Sequence, residues 1–314
     1  RTRIAYAYDL NMFFSYLYEF VPSFKGKSSS STVEADLEKV DSTDIEEFLD
    51  YLNFYVKDDK NNPDHPLEFS NGSNGKARKL SSVRSFYRYF YRHKKIKSNP
   101  ASLVDMPKIN QKPIIRLEVD EVAKLLDIVE SGEKLTKTQL RYQKFTRSRD
   151  MAILSLFLGT GIRVSELVGI DISDIDFNVN GFRITRKGGN QVVLYFSDEV
   201  GEALQDYLKD REQISPVAGH ENAMFLSLRR KRISVRNVEA LVKKYTRMVT
   251  SLKNISPHKL RSTYGTNLYR ETGDIYLVAD VLGHKDVNTT KKHYAAIDDD
   301  KRRMAARVVK LRED

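Results

Sequence analysis

The sequence predicts a mainly α-helical protein in two domains: a small all-helical one, and a larger, mostly helical mixed α/β one with a small β-hairpin. Three observations predict it. Apolar residues recur at i, i+3, i+4, i+7 spacing in both halves of the chain. One stretch, residues 182–196, instead sets two β-rich runs around Gly188-Gly189-Asn190. The length of 314 residues suits two domains of ordinary size.

Taken in order, residues 1–20 form a helix whose stripe is Leu10, Phe13, Phe14 and Leu17. Lys25–Ser31 is a polar, Ser-rich loop. Asp41 caps a second helix carrying Ile45, Phe48, Leu49 and Leu52. Residues 57–76, with Pro63 and Pro66, make a long polar loop. A basic helix then runs to Asn99-Pro100, and the first domain covers residues 1–108. Residues 109–116, with Pro113, make a linker, and residues 117–314 form the second domain. There, 131–148 is a charged insertion, and two helical pieces, Met151–Leu158 and Val164–Ile170, break at Gly159-Thr160-Gly161. The 182–196 hairpin follows, and four further helical stretches reach the C-terminus.

Charge narrows the class of partner. The net charge is +10, and residues 76–97 hold nine Lys/Arg and no Asp/Glu, so the excess sits almost wholly in one helix. Leu80, Val83, Tyr87, Phe90 and Tyr91 make its buried stripe, while Arg84, Arg88 and Arg92 repeat every four residues as an outer row. A like-charge row costs stability unless an anion faces it, and such a helix suits a DNA major groove. Lys76, Arg78, Lys79, Arg84, Arg88, Arg92, Lys94 and Lys95 are therefore the DNA-binding candidates. No run approaches 18 uncharged apolar residues, no signal peptide is visible and cysteine is absent. A cytoplasmic protein without disulfides or thiolate metal sites is expected.

Six residues of the second domain carry the chemistry. Arg163 follows the 159–161 turn and opens a helix, where a guanidinium and backbone N–H groups favour a phosphate; Glu166, three residues on, can orient it. Lys187 sits at the hairpin mouth, although turn lysines are ordinarily just solvated. Ser256-Pro257 starts a helix that puts His258 and Arg261 on one face of its first turn, a local anion site. His284 lies in a turn after Leu282-Gly283, and Thr289–Tyr294 is the next helix. Two guanidiniums, an amine, two imidazoles and a phenol suit attack by a tyrosine on a phosphodiester. A site built from His258, His284 and His293 lacks the carboxylate and Cys spacings of metal centres, so no metal and no cofactor is expected.

These motifs together resemble the tyrosine recombinases of the phage-integrase/Xer superfamily: Gly161-Ile162-Arg163-Val164-Ser165-Glu166-Leu167, the Lys187 hairpin, His258-Lys259-Leu260-Arg261, and Leu282-Gly283-His284 with Tyr294 ten residues on. Arg78–Tyr91 with Asn99-Pro100 resembles the end of the family's helical, SAM-like core-binding domain, and the insertion before Arg149-Asp150 resembles the branch in which one protein acts without a second recombinase. Two positions depart from the pattern: Ser262 stands where the family often has His, and Asn190-Gln191 stands where it has basic residues. The resemblance implies that Tyr294 attacks the scissile phosphate, giving a 3′-phosphotyrosyl link and a free 5′-hydroxyl. Arg163 and Arg261 would hold the non-bridging oxygens, His258 would act as general base or phosphate ligand, His284 would position the phosphate, and Lys187 would be the general acid. It further implies no metal or ATP, a Holliday junction, and a homo-tetramer on two double-stranded DNA sites. Met304, Val308, Val309 and Leu311 in the C-terminal tail would dock on a neighbour. Two other classes share parts of this inventory: a type IB topoisomerase, and a DNA-binding protein without catalysis.

Overall fold

The computed structural model describes residues 2–57, 62, 65–109, 115–186, 188–284, 286–287 and 290. Lys187, Thr289, His293, Tyr294, the tail and most of the linker lie outside the described residues. The chain divides into two compact units, Arg1–Lys112 and Pro113–Asp314.

In the first unit, helix α1 spans Thr2–Phe20, α2 Glu34–Leu37, α3 Ser42–Tyr51 and α4 Ser73–Arg92. Asp41 caps α3 as expected, its carboxylate accepting the Asp44 N–H at 3.0 Å. The core forms where the three long helices turn their stripes together: Phe13 and Leu17 of α1, Ile45 and Phe48 of α3, Leu80, Val83 and Tyr87 of α4. Phe13 and Phe48 meet edge to face at 5.1 Å. A buried carboxylate adds a polar link, since Asp9 of α1 accepts from the Ser82 hydroxyl at 2.9 Å and pairs with Arg78, both on α4. Two expectations need correction. The unit is not all-helical: β1 (Tyr55–Lys57) pairs antiparallel with β2 (Leu67–Phe69), Tyr55 opposite Phe69, and β2 lies inside the stretch read as a loop. The basic helix ends at Arg92, because the chain leaves helical geometry at His93 and Lys94 adopts a left-handed conformation with φ of 54°.

In the second unit, α5 spans Val119–Ser131, α6 Lys137–Thr160 and α7 Val164–Leu167. Three antiparallel strands follow in the order β3 (Ile175–Asp176), β4 (Gly181–Thr185), β5 (Gln191–Tyr195), with Thr185 opposite Gln191 beside the turn. Then come α8 (Asp198–Glu212), α9 (Val235–Val249), α10 (Pro257–Thr272) and α11 (Ile275–Leu282). The central helix is α6, whose Ala152, Ile153, Leu154, Leu156 and Phe157 are all buried, with α5, α8 and α10 packed on it. Within the charged insertion read over 131–148, residues 137–148 form the first half of α6. Its polar side chains hid the helix, and Gln143 is buried with its amide donating to the Val129 carbonyl at 2.9 Å. Gly159 likewise lies within α6 rather than at a break; a Cβ there would come within 2.6 Å of Val200 on α8, so glycine permits that close packing. The break itself is Gly161, with φ of 62°. Asp150 of α6 is buried and accepts from Arg149 at 2.7 Å, the Tyr245 hydroxyl at 3.0 Å and the Thr146 hydroxyl at 3.2 Å, tying α6 to α9. Among the described residues no helix is long and apolar enough to cross a membrane.

Candidate active site

The site assembles at the C-terminal end of α11. Asp274 caps the start of that helix, accepting the N–H groups of Tyr276 at 2.8 Å and Leu277 at 3.1 Å. Gly283 ends it in the left-handed conformation, φ 60°, and the Gly283 and His284 N–H groups return to the carbonyls of Asp280 and Ala279 at 2.8 and 2.9 Å. This double return is a Schellman motif. It leaves the last carbonyls of the helix, which carry its partial negative charge, still needing donors.

Arginines supply them from three other elements. Arg163, in extended conformation at the start of α7, donates through one terminal nitrogen to the carbonyls of Leu282 at 3.2 Å and Gly283 at 3.1 Å. Its other terminal nitrogen donates to Glu166 at 2.8 Å, and its backbone N–H donates to the same carboxylate at 3.0 Å. Glu166 is buried, so the side chain suggested as an orienting partner holds Arg163 from two directions. Arg261 comes from the first turn of α10 and is 6% exposed. One terminal nitrogen donates to the Gly161 carbonyl at 2.5 Å, and the other donates to the Leu282 carbonyl, which Arg163 also uses. Both glycines are required: at each a left-handed φ is combined with a site where a Cβ would collide, with Tyr264 and Leu282 at Gly161 and with the Arg186 guanidinium at Gly283. Tyr264, packed against Gly161, has its phenol pushed above the usual range by burial.

The other candidates fall as follows. Pro257 begins α10 as expected, with Ser256 extended at the cap position but making no side-chain cap hydrogen bond. His258 is exposed on that first turn. Ser262, where the sequence departs from the family pattern, donates its hydroxyl to the His258 carbonyl at 3.1 Å. His284 places Nδ1 2.6 Å from the hydroxyl of Thr290, a buried residue. The structure thus brings Arg163, Glu166, Arg261 and His284 to one helix end, while Lys187 and Tyr294 lie outside the described residues.

The basic helix of the first unit is more mixed than its charge suggests. Arg88, Arg92 and Lys94 are exposed, and Lys76 is half-buried. Arg78 is half-exposed and paired with Asp9, and Lys95 pairs with Glu34 at 3.1 Å. Two candidates leave the outer row. Lys79 is buried with its ammonium on Asn71 at 2.7 Å, and burial lowers its pKa. Arg84 reaches the Ala101 carbonyl at 3.1 Å and the Val104 carbonyl as well. Tyr91, expected in the buried stripe, is exposed in the last turn of the helix. Sequence reasoning also missed a cleft of about 750 Å³ in the second unit, lined by Arg229, Lys231, Arg236 and Lys244 among others. Arg229, Lys231 and Arg232 of its lining stood in the sequence within a run of four consecutive cations, Arg229–Arg232.

Comparison with known proteins decides the family. Residues 116–301 match the model of the phage integrase family, and the tyrosine recombinase XerC of Caldanaerobacter subterraneus subsp. tengcongensis is 36% identical over 96% of this chain and 79% of that protein. The chain belongs to the phage integrase family of tyrosine recombinases. The XerC of Chlorobaculum tepidum is 31% identical over 93% of this chain and 83% of that protein. Solved site-specific recombinases and integrases share the fold. The XerH site-specific recombinase, in a post-cleavage complex with palindromic difH substrate, superposes with a TM-score of 0.69 at 18% identity, covering 96% of this chain and 78% of that one. The Tn1549 transposon integrase with circular intermediate DNA gives 0.63 at 17% identity, covering 95% and 98%.

Proposed function

We propose that this tyrosine recombinase carries out site-specific recombination, cleaving and rejoining double-stranded DNA through a covalent tyrosyl intermediate. The observation that carries the proposal is the convergence of Arg163 and Arg261 on one carbonyl, that of Leu282, two residues before His284. Both terminal nitrogens of each guanidinium are held by protein oxygens, which orients the two groups before a phosphate arrives. The Tyr294 oxygen attacks phosphorus, its proton passing to His258, while the bond to the 5′-oxygen breaks and Lys187 protonates that oxygen. Arg163 and Arg261 stabilise the charge on the non-bridging oxygens, Glu166 orients Arg163, and His284 positions the phosphate. Two arginines supply the positive charge a metal ion would, and the phosphotyrosine conserves the bond energy, so neither metal nor ATP is needed. Arg88, Arg92, Lys94, Lys76, Arg78 and Lys95 hold the DNA backbone. The active assembly is a homo-tetramer on two half-site pairs, joined through residues 301–314 and passing through a Holliday junction.

A duplex nicked next to the scissile phosphate tests this directly, because the released fragment traps the intermediate. Wild-type protein is expected to form a covalent protein–DNA complex that Tyr294→Phe does not form while still binding the DNA. Relaxation of supercoiled plasmid without any specific site would point to a topoisomerase instead, and DNA binding without a covalent product would leave only a binding protein.

A further inference from the structure

The α11 end holds a third arginine that the mechanism does not use. Arg186, the last residue before the turn of the β4–β5 hairpin, donates to the carbonyl of Val281 at 2.8 Å and of Asp280 at 3.4 Å. These are the carbonyls immediately before those taken by Arg261 and Arg163, so three guanidiniums cover successive oxygens of one helix end. The fit is close: a Cβ on Gly283 would overlap the Arg186 guanidinium, so glycine there serves both the helix cap and this contact. The Nε of Arg186 is buried without a hydrogen-bond partner among the described residues, a cost accepted for this placement. The backbone of Arg186 is fixed too, its N–H donating to the Asn190 carbonyl at 2.8 Å and its carbonyl accepting the Gly189 N–H at 3.0 Å. Arg186 therefore straps the hairpin to the helix end on which Arg163 and Arg261 converge and which His284 follows.

We infer that Arg186 is a positioning residue for the acid step: it registers the hairpin on α11 and so sets where the next residue, Lys187, delivers its proton. This rests on Lys187 being the general acid. Consecutive Cα atoms are about 3.8 Å apart, so anchoring Arg186 limits the displacement open to its neighbour. An ammonium left unanchored would reach the leaving oxygen only part of the time, and a displacement of about 1 Å can cost roughly 100-fold in rate.

The test uses the full chain and two nicked duplexes that differ in one atom, oxygen or sulfur at the bridging 5′ position of the scissile linkage. A thiolate leaves without a proton, so the sulfur substrate bypasses the acid. Arg186→Ala is expected to slow single-turnover cleavage of the oxygen substrate roughly 10- to 100-fold and to match wild type on the sulfur substrate. Arg186→Lys, which keeps one cation but cannot span two carbonyls, should fall between. Lys187→Ala is the control, and thermal unfolding confirms that each variant is folded. If sulfur rescues Lys187→Ala but not Arg186→Ala, the strap serves the whole site and the inference is wrong. The inference also fails if Arg186→Ala cleaves the oxygen substrate at the wild-type rate. If sulfur does not rescue Lys187→Ala, the acid assignment itself is overturned, and the role drawn for Arg186 goes with it.

Discussion

The basic helix α4 and the arginine cluster at the end of α11 both concentrate positive charge, by different means. On α4 the cations Arg88 and Arg92, and Lys94 just beyond its end, are exposed to water. At α11 the guanidiniums of Arg163, Arg186 and Arg261 meet helix carbonyls, and Arg261 is buried. A solvated cation is screened by salt over about 10 Å and attracts any polyanion. An anchored guanidinium is already aimed, so it discriminates by geometry. Under the proposed function binding falls to α4 and chemistry to the end of α11, a division that can be broken by substitution on either side.

The largest effect is expected from Arg261→Ala. It removes a charge proposed to sit on the phosphate and also leaves the carbonyls of Gly161 and Leu282 without this donor. Cleavage should fall by roughly 100- to 1000-fold, measured in single turnover on a nicked duplex. Arg261→Lys should not restore it, since one ammonium cannot span two carbonyls in fixed directions. Next comes a change that should separate fold from chemistry. Asp150→Ala strands the charges of Arg149 and Lys244 in the α6–α9 interface and should cost about 3–5 kcal/mol in urea unfolding. Its cleavage rate, measured where the protein remains folded, should stay near wild type.

How far the sequence foretold this depends on where the information sits. The 182–196 hairpin was legible because alternation and a Gly-Gly-Asn turn are local. So were the starts of α3 and α10, marked by Asp41 and by Ser256-Pro257. The β1–β2 pair was not, because Leu67-Glu68-Phe69 is exposed throughout and leaves no alternation of burial to read. Arg84 repeats with Arg88 and Arg92 along the chain, yet its guanidinium turns back to carbonyls some 17 to 20 residues downstream, which no periodicity reveals. Arg186 looked like an ordinary turn neighbour of Lys187; its partners lie 94 and 95 residues away. Motif spacing placed Arg163, Arg261 and His284 in order, but only the fold shows that one helix end gathers them.

Smaller effects sharpen the binding half of the contrast. Arg88→Ala and Arg92→Ala should each weaken DNA binding across all sequences and lower the salt slope by about 1, seen by titration at several salt concentrations. Lys79→Ala and Arg84→Ala should instead lower the stability of the first unit, because their charged groups serve its interior and its C-terminal carbonyls. The smallest effect concerns pH. Asp36 is buried, and the ammonium groups of Lys27 at 2.7 Å and Lys39 at 2.9 Å, with the Val33 N–H, hold its carboxyl well below the usual carboxylate range. A lowered folded pKa means that its stabilisation is full above the unfolded value, near about pH 4, and is lost as pH falls further. Asp36→Asn should flatten that acid limb in a chemical-denaturation series, with no change near neutrality in its slope against pH.

The division between binding and chemistry is tested most directly by single-turnover cleavage of a nicked duplex at saturating DNA, comparing the Arg88→Ala/Arg92→Ala double variant with Arg261→Ala. Saturation should restore the double variant to the wild-type rate and leave Arg261→Ala slow at any DNA concentration. A double variant that remained slow at saturation, or an Arg261→Ala protein rescued by more DNA, would contradict the account.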